Sequence, residues 1–146
     1  MHFMARRSLF QIPGVGALIT RCNAFPIERD SADLKGVRQA IAKLREQNLL
    51  LVFPEGTRTV NGEIGLMKPG VAILAGRAAV PVVPVLIDGA YAVWPKGAIL
   101  PGFGKIRIVF GRPFMLDGVD ESAGIRIRRA LLELRGESEA CRTESS

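Results

Sequence analysis

Leu49, Leu50, Leu51, Val52 and Phe53 form an unbroken apolar run that stops at Pro54. A strand wetted on one side alternates apolar with polar residues, so a short continuous run predicts a strand covered on both faces. The stretch before it has a different period. Leu34, Val37, Ile41 and Leu44 recur at spacings of three and four, with Lys35, Arg38, Lys43 and Arg45 on the other faces. That pattern predicts an amphipathic helix, and Asp30 or Ser31 offers a short polar side chain to cap its first turn.

Beyond the run, Glu55 to Gly65 is polar and contains glycine, as a loop does. Pro69 opens a second helix through Val71, Ile73, Leu74 and Ala75, because its missing amide costs nothing in a first turn. Val80 to Ile87 reads as a second apolar strand, with Pro81 and Pro84 marking an unpaired face or end. Ala90 to Gly104 reads as an irregular loop. In Lys105 to Phe110, Ile106, Ile108 and Phe110 alternate with Lys105, Arg107 and Val109, which predicts a half-exposed strand. A last helix is expected over Glu121 to Leu134, with Ile127, Leu131 and Leu134 inward. The start, Phe3 to Ile19, is broken by Pro13, Gly14 and Gly16 and reads as a turn into a short helix or surface-lying stretch. Helices alternating with apolar strands predict an α/β domain whose mostly parallel or mixed central sheet is covered by helices. The domain is expected over residues 1–135, with 136–146 a polar, disordered tail.

Length and composition narrow the function less. The chain has 146 residues, enough for one core, and its 48% apolar and 23% charged content is that of a globular protein. A net charge of +6 suits nucleic acid, an acidic membrane face or a phosphorylated substrate, or simply serves solubility. Aromatic content is 6%, with no stacking platform or recognition helix, so nucleic acid is not expected as a partner. Gly14-Val15-Gly16 begins like a dinucleotide fingerprint, but Ile19 stands at the third glycine position, and no P-loop triplet occurs. Cys22 and Cys141 form neither a zinc spacing nor a CxxC pair, and idle thiols fit a reducing cytoplasm. No apolar run approaches a membrane span, and the start lacks a signal peptide's long apolar stretch; a cytosol-facing chain is expected.

Phe53-Pro54-Glu55-Gly56-Thr57-Arg58-Thr59 carries the chemistry. It sets an acid, a glycine, a hydroxyl and a guanidinium directly after a strand, where open α/β sheets build their sites. Gly56 permits close ligand approach and a positive φ. Arg58 offers a planar fork of donors matched to phosphate oxygens. Glu55 either holds that arginine or accepts from a substrate hydroxyl. The same residues also suit a plain polar turn with a surface ion pair.

This heptapeptide resembles the third sequence block of the lysophospholipid and glycerol-3-phosphate acyltransferase family. The neighbourhood agrees, in order. Phe3 to Gly16 resembles the stretch before the second block, and Phe25-Pro26-Ile27-Glu28-Arg29-Asp30 resembles that block. Met67-Lys68-Pro69-Gly70 stands where the family has a lysine before a glycine, and Val80-Pro81-Val82-Val83-Pro84-Val85 resembles the fourth block. The resemblance implies that Glu55, Gly56 and Arg58 bind the glycerol phosphate part of an acceptor, with Arg29 on the same phosphate. Thr57 either joins them or satisfies the turn, and Lys68 is either a phosphate contact or a solvated helix-start lysine. The implied reaction passes an acyl group from acyl-CoA or an acyl-carrier protein to glycerol 3-phosphate or lysophosphatidate in phospholipid biosynthesis. No cofactor is implied. The implied place is cytoplasmic, peripheral on the inner face of an anionic membrane. The basic start, with Leu9, Phe10, Ile12 and Val15, suits that interface.

The family's first block, a histidine and an aspartate separated by four residues, supplies the base that activates the acceptor hydroxyl. An alcohol needs such a base with a pKa near neutrality. Here the one histidine is His2, Arg7 stands five positions on, and no carboxylate precedes Glu28. No catalytic residue is therefore assigned, and inactivity of this chain alone is expected. Two explanations stand open: a catalytic segment upstream of Met1, or a binding-competent, non-catalytic relative that holds a glycerophosphate or a membrane surface.

Overall fold

The computed structural model describes residues 1–27, 34–116 and 121–143. Three strands, β1 (His2–Arg6), β2 (Ala24–Ile27) and β3 (Leu50–Leu51), form a parallel sheet in the order β2-β1-β3. Two more, β4 (Val85–Asp88) and β5 (Arg107–Phe110), form an antiparallel pair. Helices α1 (Arg7–Phe10), α2 (Val15–Arg21), α3 (Leu34–Arg45), α4 (Pro69–Ala78), α5 (Ala90–Val93) and α6 (Glu121–Thr143) complete the α/β architecture. No helix among the described residues is long and apolar enough to cross a membrane.

The opening segment is more regular than its glycines and proline suggested. It holds β1 before its two short helices, and β1 is the central strand of the parallel sheet. Pro26 sits in β2, tolerated because β2 is an edge strand.

The apolar run is not a fully buried strand. Leu50 and Val52 pack inward against Phe25, Ala40 and Leu74, whereas Leu49 and Phe53 are 61% and 58% exposed. The ladder ends after Leu51 because a turn follows, in which Gly56 N–H donates to Phe53 O at 3.0 Å.

The stripe of α3 is deeper than its large residues indicate. Gly36 and Ala40 are its buried positions, with Val37, Ile41 and Leu44 half-buried beside them; the side chain of Leu34 lies outside the described residues. Small residues let α3 approach α4 closely. Helix α4 joins two cores: Leu74 enters the cluster of Phe25 and Ala40, and Ala72 enters that of Leu116, Ala123, Ile127 and Leu131.

Two expectations change at the far end of the chain. At β5 the apolar set Ile108 and Phe110, with Ile106 just before the strand, faces outward, 57%, 71% and 52% exposed, because α6 covers the opposite face, with Leu134 against Gly111. Helix α6 itself runs past Leu134 to Thr143, so most of the segment expected as a tail is helical. Its inward line continues through Ala123, Ile127, Leu131, Leu134 and Ser138, and Ser138 is only 3% exposed. The Ser138 hydroxyl donates to Asp88 Oδ2 at 3.1 Å, and Arg107 Nη1 donates to Ser138 O at 3.3 Å.

Candidate functional site

Parallel strands place all their C-terminal ends on one edge, and in open α/β sheets that edge receives the ligand. Here β1 ends at Arg6, opposite Ile27 of β2, and β3 leads into the loop from Phe53 to Gly65. Arg29 lies outside the described residues, two positions beyond Ile27.

The loop is heavily tied. Gly56 takes φ +66°, and a Cβ there would meet Lys68 Cγ at 3.3 Å. Lys68 N–H donates to Pro54 O at 2.8 Å, which fixes the start of α4 beside the turn. Gly65 N–H donates to Glu55 Oε2 at 2.8 Å and closes the loop across ten residues. Thr59 Oγ1 accepts from Gly62 N–H at 3.0 Å, and Tyr91 Oη donates to Val60 O at 2.9 Å. From α6, Arg128 donates to the carbonyls of Gly65 and Ile64 at 3.1 and 3.2 Å, and Arg135 to that of Gly62 at 3.2 Å. Arg58 is exposed, with its guanidinium 5.3 Å from the centroid of the Trp94 ring. A cation over an aromatic face keeps its charge but loses rotamer freedom, so the ring pre-organises Arg58.

Glu55, Gly56 and Lys68 are thus brought together, and Arg58 projects from the same loop toward Trp94. Glu55 spends an oxygen on the loop, a role distinct from both offered by the sequence. Thr57 is exposed and donates to Arg58 O at 3.4 Å, the turn-satisfying alternative. A concavity of about 480 Å³ is lined by Arg38, Ile41, Ala42 and Arg45 on α3, and another of about 200 Å³ lies at Phe114 and α6. Neither reaches Arg58 or Lys68. No group of three or more His, Cys, Asp or Glu side chains able to hold a metal occurs among the described residues.

His2 stands at the wrong end for the expected base. It pairs with Leu50, where β3 begins, and its Nδ1 lies 3.3 Å from Asn23 O.

The ordered blocks have a counterpart in known proteins: the family profile described as Acyltransferase matches residues 1–88. The chain belongs to the acyltransferase family. A 1-acyl-sn-glycerol-3-phosphate acyltransferase of Bacillus subtilis is 30% identical over 113 residues, 77% of this chain and 54% of that protein. The protein of the same description from Pseudomonas aeruginosa is 29% identical over 143 residues, 96% of this chain and 52% of the relative. The crystal structure of the 1-acyl-sn-glycerophosphate (LPA) acyltransferase PlsC from Thermotoga maritima superposes with a TM-score of 0.75 at 31% identity. It matches 95% of this chain and 56% of that one. The chain therefore spans about half the length of the curated relatives it matches.

Four of the residues that brace the acyltransferase motif lie outside the matched stretch. Tyr91, Trp94, Arg128 and Arg135 all fall beyond residue 88. The sequence reading missed them because each acts on a distant segment. A weak signal existed: Tyr91 and Trp94 are three apart, and Arg128 and Arg135 are seven apart, as on one helix face.

Proposed function

We propose that this chain holds the phosphate-bearing acceptor of an acyl transfer reaction in phospholipid biosynthesis. The acceptor is glycerol 3-phosphate or its 1-acyl form, and the donor is an acyl thioester of coenzyme A or a carrier protein. The observation that carries this reading is the pre-organised Arg58, stacked on Trp94 and projecting from a loop tied along its length by hydrogen bonds. Arg58 grips phosphate oxygens, Lys68 adds charge beside Gly56, and Arg29, by the resemblance to the family's second block, takes the same phosphate. Glu55 keeps the loop closed. The names of the relatives support a glycerophosphate acceptor, and the +6 charge supports a peripheral place on the cytoplasmic face of an anionic membrane.

Acyl transfer also needs a base to take the acceptor's hydroxyl proton. The position of His2 favours a second reading of the chain on its own: binding without turnover. Calorimetry with glycerol 3-phosphate tests the acceptor site under either reading. Arg58→Ala should weaken binding by about 1.5–3 kcal/mol, the worth of a hydrogen bond to a charged group, and Arg58→Lys should recover only part because it lacks the fork. Equal affinities for all three proteins would exclude Arg58 as a ligand contact.

A further inference from the structure

We propose that the loop from Trp94 to Lys105 is the element that enters the lipid interface and seats the acceptor loop against an anionic bilayer. This rests on the reading of the acceptor as a lipid. Three large apolar side chains stand almost free of the protein there: Ile99 is 91% exposed, Leu100 77% and Phe103 108%. On the first segment, by comparison, Leu9, Ile12, Val15 and Leu18 reach at most 63%.

The loop that presents them is tied at its base. Gly102 N–H donates to Val93 O at 2.7 Å, Ala98 N–H to Pro95 O at 3.2 Å, and Trp94 Nε1–H to Ala98 O at 3.0 Å. The apolar tip is therefore held outward by two backbone bonds and one from the Trp94 ring, and insertion requires little reordering.

Charge identifies the partner. From Gly89 to Leu116 the sequence holds no aspartate or glutamate, while Lys96, Lys105, Arg107 and Arg112 are basic. An apolar tip flanked by lysines, with a tryptophan at its root, matches the layering of an anionic membrane: acyl chains, then interface, then phosphates. A protein partner with a plain apolar groove would not call for the lysines.

The root of this loop also touches the candidate site. Trp94 carries Arg58 on its ring face, and Tyr91 holds Val60. Inserting the tip would thus bring Arg58 to the level of lipid headgroups, where a lysophosphatidate phosphate lies.

Trp94 is the chain's single tryptophan, so its emission reports on the loop directly. With vesicles of an equal mixture of phosphatidylcholine and phosphatidylglycerol, the emission should shift to the blue. Phosphatidylcholine brominated high on its acyl chains should quench it more than lipid brominated near the chain ends. The triple variant Ile99→Ser/Leu100→Ser/Phe103→Ser should lower vesicle partitioning by more than about tenfold, the least that one buried large side chain contributes. It should keep its melting temperature and its affinity for glycerol 3-phosphate, since all three positions are exposed. Lys96→Gln/Lys105→Gln should flatten the salt dependence of binding.

Bound protein with unquenched Trp94 would overturn the proposal, because another face, such as the first segment, would then carry the contact. So would a triple variant that partitions like the parent, or one that loses self-association in sedimentation velocity while keeping vesicle binding. Loss of binding in Ile108→Ser/Phe110→Ser, with the loop variant unaffected, would move the contact to the sheet face. A parent that inserts but does not bind glycerol 3-phosphate would refute the acceptor site and leave the loop assignment intact.

Discussion

At Gly56 the backbone sits at φ +66°, and any side chain would also press on Lys68. Gly56→Ala should therefore cost about 1–2 kcal/mol, the penalty of a left-handed conformation for an L-residue, seen as a lowered melting temperature. An unchanged melting temperature would mean that the turn relaxes freely. The glycine's role was legible in the sequence, since a polar turn after a strand asks for such freedom. That of Trp94 was not. Its ring lies 5.3 Å from the Arg58 guanidinium, thirty-six positions earlier in the chain, and no local pattern announces such a meeting. Trp94→Leu should weaken glycerol 3-phosphate binding by about two- to fivefold without touching the ligand, the worth of an exposed cation–π contact, and Trp94→Phe should retain most of it. Equal binding by the leucine variant would show that Arg58 needs no ring to hold it.

Helix α6 illustrates how periodicity fails when the buried residue is small and polar. Ile127, Leu131 and Leu134 were legible as an inward line, but the next inward residue is Ser138, which a search for apolar spacing passes over. Asp88, fifty positions earlier, accepts its hydroxyl and makes the burial tolerable. The same helix sends Arg128 and Arg135 to the carbonyls of the candidate-site loop. A chain ending at Leu134 loses the Arg135 clamp and the Ser138 bond together. Its melting temperature should fall by several degrees, as about 1–2 kcal/mol implies for a domain of this size, and protease should cut between Val60 and Gly65 sooner. Parent-like melting and cleavage would show that the last turns of α6 contribute nothing. Strand β5 teaches the complementary lesson. Its alternation predicted two unlike faces correctly, yet α6 chose the one bearing Val109 and left Ile108 and Phe110 outside.

For the whole molecule, the decisive measurement is thioester consumption by the 146-residue chain with lysophosphatidate or glycerol 3-phosphate. No turnover is expected, because general-base help is worth about 10²–10⁴-fold and His2 lies at the opposite end of the parallel sheet from the motif loop. Turnover that survives His2→Ala would require another base, with Glu55 the first to examine. Turnover that disappears with His2→Ala would make that histidine catalytic despite its position. The sequence by itself determined the α/β class, the helices α3 and α4, the loop that follows β3 and, through its ordered blocks, the acyltransferase family. Those features are written in neighbouring residues: a period, a proline at a first turn, a glycine where φ is positive. Only the tertiary structure decided which face of β5 stays open, how far α6 runs, and that Trp94, Tyr91, Arg128 and Arg135 converge on the candidate-site loop. Each of those depends on what a distant segment brings into contact, and one stretch of sequence does not contain its own neighbours in space.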